Sequence, residues 1–197
     1  MMNWHSKRDM KQARLESASP YINHKLIESE SIAEALQALM RPGDRVVIEG
    51  DNQKQATFLA KALTKLNPDK IHDVMMIVPS ISRAEHLDVF DKGIASEINF
   101  AYAGMQSVRL ADMLAENKLK IGAIHTYLEL YSRLFVDLIP DICLVAADQA
   151  DPDGNLFTGY STEDTPTLVE SAAFHQAIVV VQANEIVERG ALPRVDI

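Results

Sequence analysis

Short apolar runs rich in β-branched residues alternate with stretches of helical periodicity along the chain, and this rhythm restricts the fold most. Val46-Val47-Ile48, within a strand predicted over 45–50, is apolar at every position, as buried parallel strands are. Further strands are predicted over 73–78, 97–102, 121–127, 142–147 and 178–182. In the third of these Ile98, Phe100 and Tyr102 share one side. Between the strands, apolar residues recur at helical spacing. One set is Ile32, Ala35, Leu36, Leu39 and Met40, and another is Ala56, Leu59, Leu63 and Leu66. Val108, Ala111 and Leu114 form a third inward face, and Leu168, Val169 and Ala172 a fourth. A short helix over 85–92 stops at Gly93. The stretch 128–138 reads as either a helix or a packed loop. Strands that alternate with helices of this length predict an α/β fold, a mostly parallel sheet flanked by helices.

Local signals fix several boundaries. Ser31-Ile32-Ala33-Glu34 has the spacing of a capping box. Pro42-Gly43-Asp44 and Asn67-Pro68 end helices. Asp151-Pro152-Asp153-Gly154-Asn155 predicts a tight turn, with a short strand over 156–159 pairing antiparallel with its predecessor. The turn has acidic spacing like that of a calcium loop, but its glycine is at the wrong offset and its twelfth position is Thr162. The tail, 189–197, has no element of its own. Residues 1–24 are expected to form a helical arm and 25–197 the main domain. In 1–20, Lys7, Arg8, Lys11 and Arg14 outnumber Asp9 and Glu16. That segment is either an arm for an acidic partner or a solvated leading helix.

Composition narrows the function classes. The chain has 197 residues, 47% of them apolar and 24% charged, enough to bury a core. A net charge of −9 argues against a nucleic-acid partner. No apolar run approaches the roughly 20 residues needed to span a bilayer, so no membrane association is expected. The first 20 residues have no apolar segment of a secretory signal. One cysteine, Cys143, suits a reducing cytoplasm and reads as a small core residue. The histidines show no metal-ligand spacing, so no metal is expected.

In open parallel sheets ligands sit beyond the carboxyl ends of the strands. The most informative such loop is Glu49-Gly50-Asp51-Asn52-Gln53-Lys54-Gln55. Gly50 lets the backbone approach a ligand, while Asn52, Gln53 and Gln55 offer neutral donors and Lys54 a cation. Backbone N–H groups there can hold an anion or a developing oxyanion. The other reading is an ordinary helix start capped by Asp51 or Asn52. Glu49 is a nucleophile, a ligand-orienting group or a polar edge residue. His125 and Glu129 would face each other if that piece were helical, and His125 is then either a base or a hydrogen-bonded strand-end residue. Glu163-Asp164 either line a cleft or belong to a solvated loop. The catalytic candidates are Gly50, Asn52 and Gln53; the substrate-binding candidates are Glu49, Asp51, Lys54, Gln55 and His125.

Several segments together resemble the malonate decarboxylase alpha-subunit family over nearly the whole chain. They are the run from Val46 through Gly50 to Ala56, Ile121-Gly122-Ala123-Ile124-His125-Thr126-Tyr127-Leu128-Glu129-Leu130, the 151–159 turn, Thr162-Glu163-Asp164-Thr165-Pro166 and Val181-Gln182-Ala183-Asn184-Glu185-Ile186-Val187. Gly43-Asp44, the strand after it, and Ala150-Asp151-Pro152-Asp153-Gly154-Asn155-Leu156 resemble a wider group, the coenzyme A-transferases. The resemblance implies a coenzyme A-transferase-like domain that exchanges malonate for acetate. The acyl group would sit on a phosphopantetheine-type prosthetic group, a dephospho-coenzyme A derivative, borne by a partner acyl-carrier subunit. Other decarboxylase subunits would be further partners, and the chain itself would bind no cofactor. The resemblance also implies a second domain, so this chain is expected to be a first domain, folded but inactive alone. Two other readings remain: a sugar-phosphate isomerase of related fold, and a non-catalytic scaffold that docks the carrier.

Overall fold

Val46, Val47 and Ile48 are wholly excluded from solvent and form β1 (Arg45–Ile48), an inner strand of a seven-stranded sheet. The structure, a computed structural model, describes residues 4–50, 55–159 and 164–197. From β1 the chain steps outward in one direction through β2 (Val74–Ser80), β3 (Ala95–Tyr102) and β4 (Lys120–Ile124), all parallel. It then crosses to the other side of β1 with β5 (Ile142–Ala150). β6 (Leu156–Phe157) turns back antiparallel against the end of β5, and β7 (Ile178–Ile186) runs parallel along β5 from Ile142 to Ala150. The β1–β5 ladder ends at Leu144, so β6 takes up the edge of β5 that β1 has left. The direction of winding therefore reverses between β1 and β5, the position at which open α/β sheets form a ligand crevice.

α1 (Trp4–Ala18) packs on α2 (Ile32–Leu39). With α3 (Thr57–Leu63), α4 (Glu85–Asp91) and α5 (Ser107–Ala115), α2 covers one sheet face, where Leu36, Leu59, Leu87 and Leu110 meet Ile48, Val78 and Ile98. α6 (Tyr127–Val136) and α7 (Thr165–His175) cover the other face, burying Leu130, Leu134 and Leu168 against Val47, Ile77 and Val145. At roughly 2 kcal/mol for each such side chain removed from water, these two layers dominate the folding drive. The predicted α/β class and its parallel sheet are what the chain forms.

Several local expectations change. Ser31 donates no cap: a 3-10 turn, Ser29–Ser31, leads into α2 and leaves Ser31 at φ −96° and ψ 3°. A capping serine needs extended backbone to turn its oxygen toward the free amides. α5 buries Leu110 and Met113, while Val108 and Leu114 face outward. Its two apolar stripes overlap, and periodicity cannot choose between them. Tyr102, the last residue of β3, is exposed although Ile98 and Phe100 are buried. The stretch 128–138 resolves as helix as far as Val136, capped by Thr126, whose hydroxyl accepts from Glu129 N at 3.2 Å. The 151–155 turn forms as expected: Asp151 accepts from Asp153 N and Asn155 N, and Gly154 sits at φ +86°. The tail pairs with β6, Leu156 N donating to Ile197 O at 2.9 Å.

The leading helix is not simply solvated. Arg14 is buried and donates to both carboxylate oxygens of Asp44, at 2.6 and 2.8 Å. Asp44 accepts a further bond from Arg41 N. Burial opposes the Arg14 charge, but the Asp44 contacts outweigh it and raise the pKa.

Candidate functional site

The crevice at the β1–β5 switch point is built from a ladder that opens. One residue past β1, Glu49 N still donates to Leu144 O at 2.9 Å. The two backbones then part, and the next inward amide of β5, Ala146 N, donates to Glu49 Oε2 at 2.7 Å. The carboxylate thus stands in for the missing strand. Its other oxygen accepts from the Thr165 hydroxyl at the start of α7, and Glu49 has no exposed surface. One side chain therefore ties β1, β5 and α7 together under the crevice. Burial, with Glu49 as a lesser cause, raises the pKa of the Cys143 thiol well above its ordinary value. That thiol is an inert core group, as expected.

The connection leaving β1 is held from several sides. A Cβ on Gly50 would lie 2.0 Å from the Ser80 carbonyl oxygen, so only glycine fits where β1 and β2 end together. The close approach inferred from Gly50 is made to Ser80. Gly50 bridges Gln55 in antiparallel fashion, and Ser82 Oγ donates to Gly50 O at 3.2 Å. Arg83 donates to Gln55 Oε1. At the start of α3, Phe58 N donates to Gln182 Oε1 of β7 at 2.9 Å, so the connection reaches past β5. Asp51, Asn52, Gln53 and Lys54 lie outside the described residues.

Of three neighbours of this crevice the sequence singled out one, Asp164, and not Thr165 or His86. Asp164 is 1% exposed and accepts from the Tyr131 hydroxyl, and Thr165 beside it holds Glu49. The solvated-loop reading therefore fails for Asp164, while Glu163 lies outside the described residues. The only local signal was a polar pair ahead of Pro166 at a helix start. His86 is also deeply buried, and neither ring nitrogen has a hydrogen-bond partner among the described residues. Burial lowers its pKa to about 4, with Arg83 adding to the effect and Glu85 opposing it. The Ser80 carbonyl also favours the charged form, but it stands outside hydrogen-bonding geometry. His86 is thus neutral at pH 7.

His125 lies elsewhere on the same rim. Its Nδ1 is 3.2 Å from Glu129 Oε1, and its Nε2 is 3.5 Å from Asn99 Oδ1. The expected pairing with Glu129 forms because α6 starts right after His125. β2 and β3 separate β4 from β1, so the fold does not set His125 beside the 50–55 loop. α6 links the two places, carrying Glu129 toward His125 and Tyr131 toward Asp164. Among the described residues no group of three His, Cys, Asp or Glu side chains could hold a metal ion, and no helix is long and apolar enough to cross a membrane.

The fold is coenzyme A-transferase-like. An acyl-coenzyme A transferase from E. coli O157:H7 aligns over 84% of this chain and 46% of its own, with a TM-score of 0.67 at 15% identity, which shows the shared fold. A family model described as "Malonate decarboxylase, alpha subunit, transporter" matches residues 3–197, and the chain belongs to that family. The chain is 45% identical over 177 residues to an acetyl-S-ACP:malonate ACP transferase of Malonomonas rubra, covering 90% of this chain and 32% of that one. It also matches a malonate decarboxylase alpha subunit of Acinetobacter baumannii at 52% identity and a TM-score of 0.96, covering 99% of this chain and 36% of that one. A Pseudomonas malonate decarboxylase hetero-tetramer in complex with malonate matches equally well, 52% and 0.96, over 98% and 36% of the two chains. The chain spans about a third of the length of these relatives.

Proposed function

We propose that this chain provides the acyl-thioester-holding crevice of an acyl-carrier-protein transferase that exchanges malonate for acetate. The observation that carries the reading is the opened β1–β5 ladder, with Glu49 at the parting strands pinned to β5 and α7. The Malonomonas rubra relative is named for this exchange, and the Pseudomonas assembly was solved with malonate. The substrate is the acetyl thioester of a phosphopantetheine-type group, a dephospho-coenzyme A derivative borne by a partner acyl-carrier subunit. The acetyl C–S bond breaks and a malonyl C–S bond forms on the same sulfur, while one carboxylate oxygen passes from malonate to the acetyl carbon, which leaves as acetate.

Charge develops on the thioester oxygen in the transition state. In our reading the Gly50 backbone and the Asn52 and Gln53 carboxamides donate to that oxyanion, each donor worth roughly 3 kcal/mol. In this reading Lys54 pairs with a substrate carboxylate and Asp51 and Gln55 add polar contacts, while His125, beyond β2 and β3 along the sheet, would meet a more distant part of the substrate. Glu49 acts from below, fixing the loop's entry. The protein works in the cytoplasm beside the other malonate decarboxylase subunits, with no metal of its own.

Incubating this chain, within the assembled subunit of its family, and an acetyl-loaded carrier with labelled malonate tests this. The reading predicts label on the carrier and stoichiometric release of acetate. Carrier binding without exchange would make the chain a scaffold, and isomerisation of ribose 5-phosphate would move it to the sugar-phosphate isomerases; either result defeats the proposal.

A further inference from the structure

At the opposite end of the sheet, α1 and the segments 139–141 and 175–178 line a half-open cavity of about 90 Å³. Lys7, Lys11 and Arg14 recur at i, i+4 and i+7, so one face of α1 points its cations at this space. Arg14 is taken by Asp44. Asp141, the acid on the wall, accepts from Arg45 N at 2.9 Å. Lys7 and Lys11 are half-buried, and neither makes an ion pair or hydrogen bond with any described residue. On the facing wall His175 stands at the end of α7, its Nε2 3.1 Å from the Phe135 carbonyl, which leaves Nδ1 for another partner.

An ammonium taken partly out of water without a counter-ion is costly. Burial accordingly lowers the pKa of Lys11, and burial together with the Lys7 charge lowers that of His175. The cation surplus and the cavity occur at the same place. The space equals roughly three waters' share of liquid volume, enough for an anion of about five heavy atoms. His175 Nε2 donates to the Phe135 carbonyl, so its Nδ1 accepts; two ammonium donors and one acceptor match a hydrogen phosphate, which offers oxygens and a P–OH, better than a carboxylate, which has no proton to give. Two uncompensated ammoniums match a double negative charge.

We propose that the cavity between α1 and the amino ends of β5 and β7 binds a phosphate group, held by Lys7 and Lys11 with His175 as the third contact. The group is either free phosphate or the terminal phosphate of a small monoester. The site lies at the other end of the strands from the acyl crevice and does not depend on the reading of that crevice.

The test is thermal unfolding of the protein in inorganic phosphate, in an alkyl phosphomonoester, and in chloride at matched ionic strength. A saturable rise in Tm with phosphate or monoester, absent in chloride, is expected. The tighter of the two identifies the source. Lys11→Gln should weaken binding about tenfold, the worth of one charged hydrogen bond. In phosphate-free buffer the same variant should be no less stable than the parent, because it removes a half-buried charge with no partner among the described residues. Phosphorus NMR titration of the unaltered protein reads the site directly, by a saturable line-broadening. An equal rise in chloride, an unweakened response in Lys11→Gln, or an unbroadened phosphate resonance would overturn the proposal.

Discussion

β1 has a buried carboxylate at each end, and the two are satisfied in opposite ways. Asp44, just before the strand, meets the Arg14 guanidinium in a two-bond ion pair that fastens α1 to the sheet. Glu49, just after it, is held by an amide of β5 and a hydroxyl of α7, both neutral. The first arrangement is a closed staple at the end of the sheet away from the proposed acyl crevice. The second lies where the β1–β5 ladder opens and supports the ends of three elements. The contrast separates a group that only stabilises from one that also shapes a site.

The largest expected effect sharpens the first half of this contrast. Asp44→Ala leaves Arg14 buried without its carboxylate and should cost about 3–5 kcal/mol in urea unfolding, with little change in exchange rate per folded molecule. Next comes an effect of pH at the crevice end. The folded pKa of His86, about 4, lies below its ordinary value of 6.5, so the unfolded chain binds the proton first as pH falls. Stability should decline by roughly 3 kcal/mol between pH 6.5 and 4 on this account, and His86→Leu should flatten that part of the profile. Thr165→Val removes a hydroxyl donor from a wholly buried carboxylate and should cost about 2 kcal/mol. Unlike Asp44→Ala it should also slow exchange per folded molecule; an unchanged rate would break the contrast. The smallest effect belongs to Glu129→Gln, since Glu129 is half exposed beside His125. Under about 0.5 kcal/mol is expected by thermal unfolding.

The sheet was legible because its inner strands are buried on both faces and therefore read as unbroken apolar runs, Val46-Val47-Ile48 above all. The face of α5 was not, because Val108 and Leu114 form as good a stripe as Leu110 and Met113, and only the neighbouring core decides. Ser31 had the right letter for a cap, but the preceding 3-10 turn gave it the wrong backbone. At the crevice, Glu49 and Gly50 stood out because a strand end is a local feature. Thr165, Tyr131 and His86 did not, and Asp164 was left between two readings, because their roles come from partners far away in sequence: Thr165 meets Glu49 across 116 residues. The Arg14–Asp44 pair was hidden for the same reason, two charges in a polar sequence until α1 folds back onto α2.

The central claim is that the loop after β1 lends its carboxamides to the thioester oxyanion. Malonate–acetate exchange on the carrier, measured for Asn52→Ala and Gln53→Ala beside the parent protein, tests it most directly. A loss of about a hundredfold in kcat for at least one variant, with the unfolding midpoint unchanged, is the predicted result. Full exchange by both variants would contradict it.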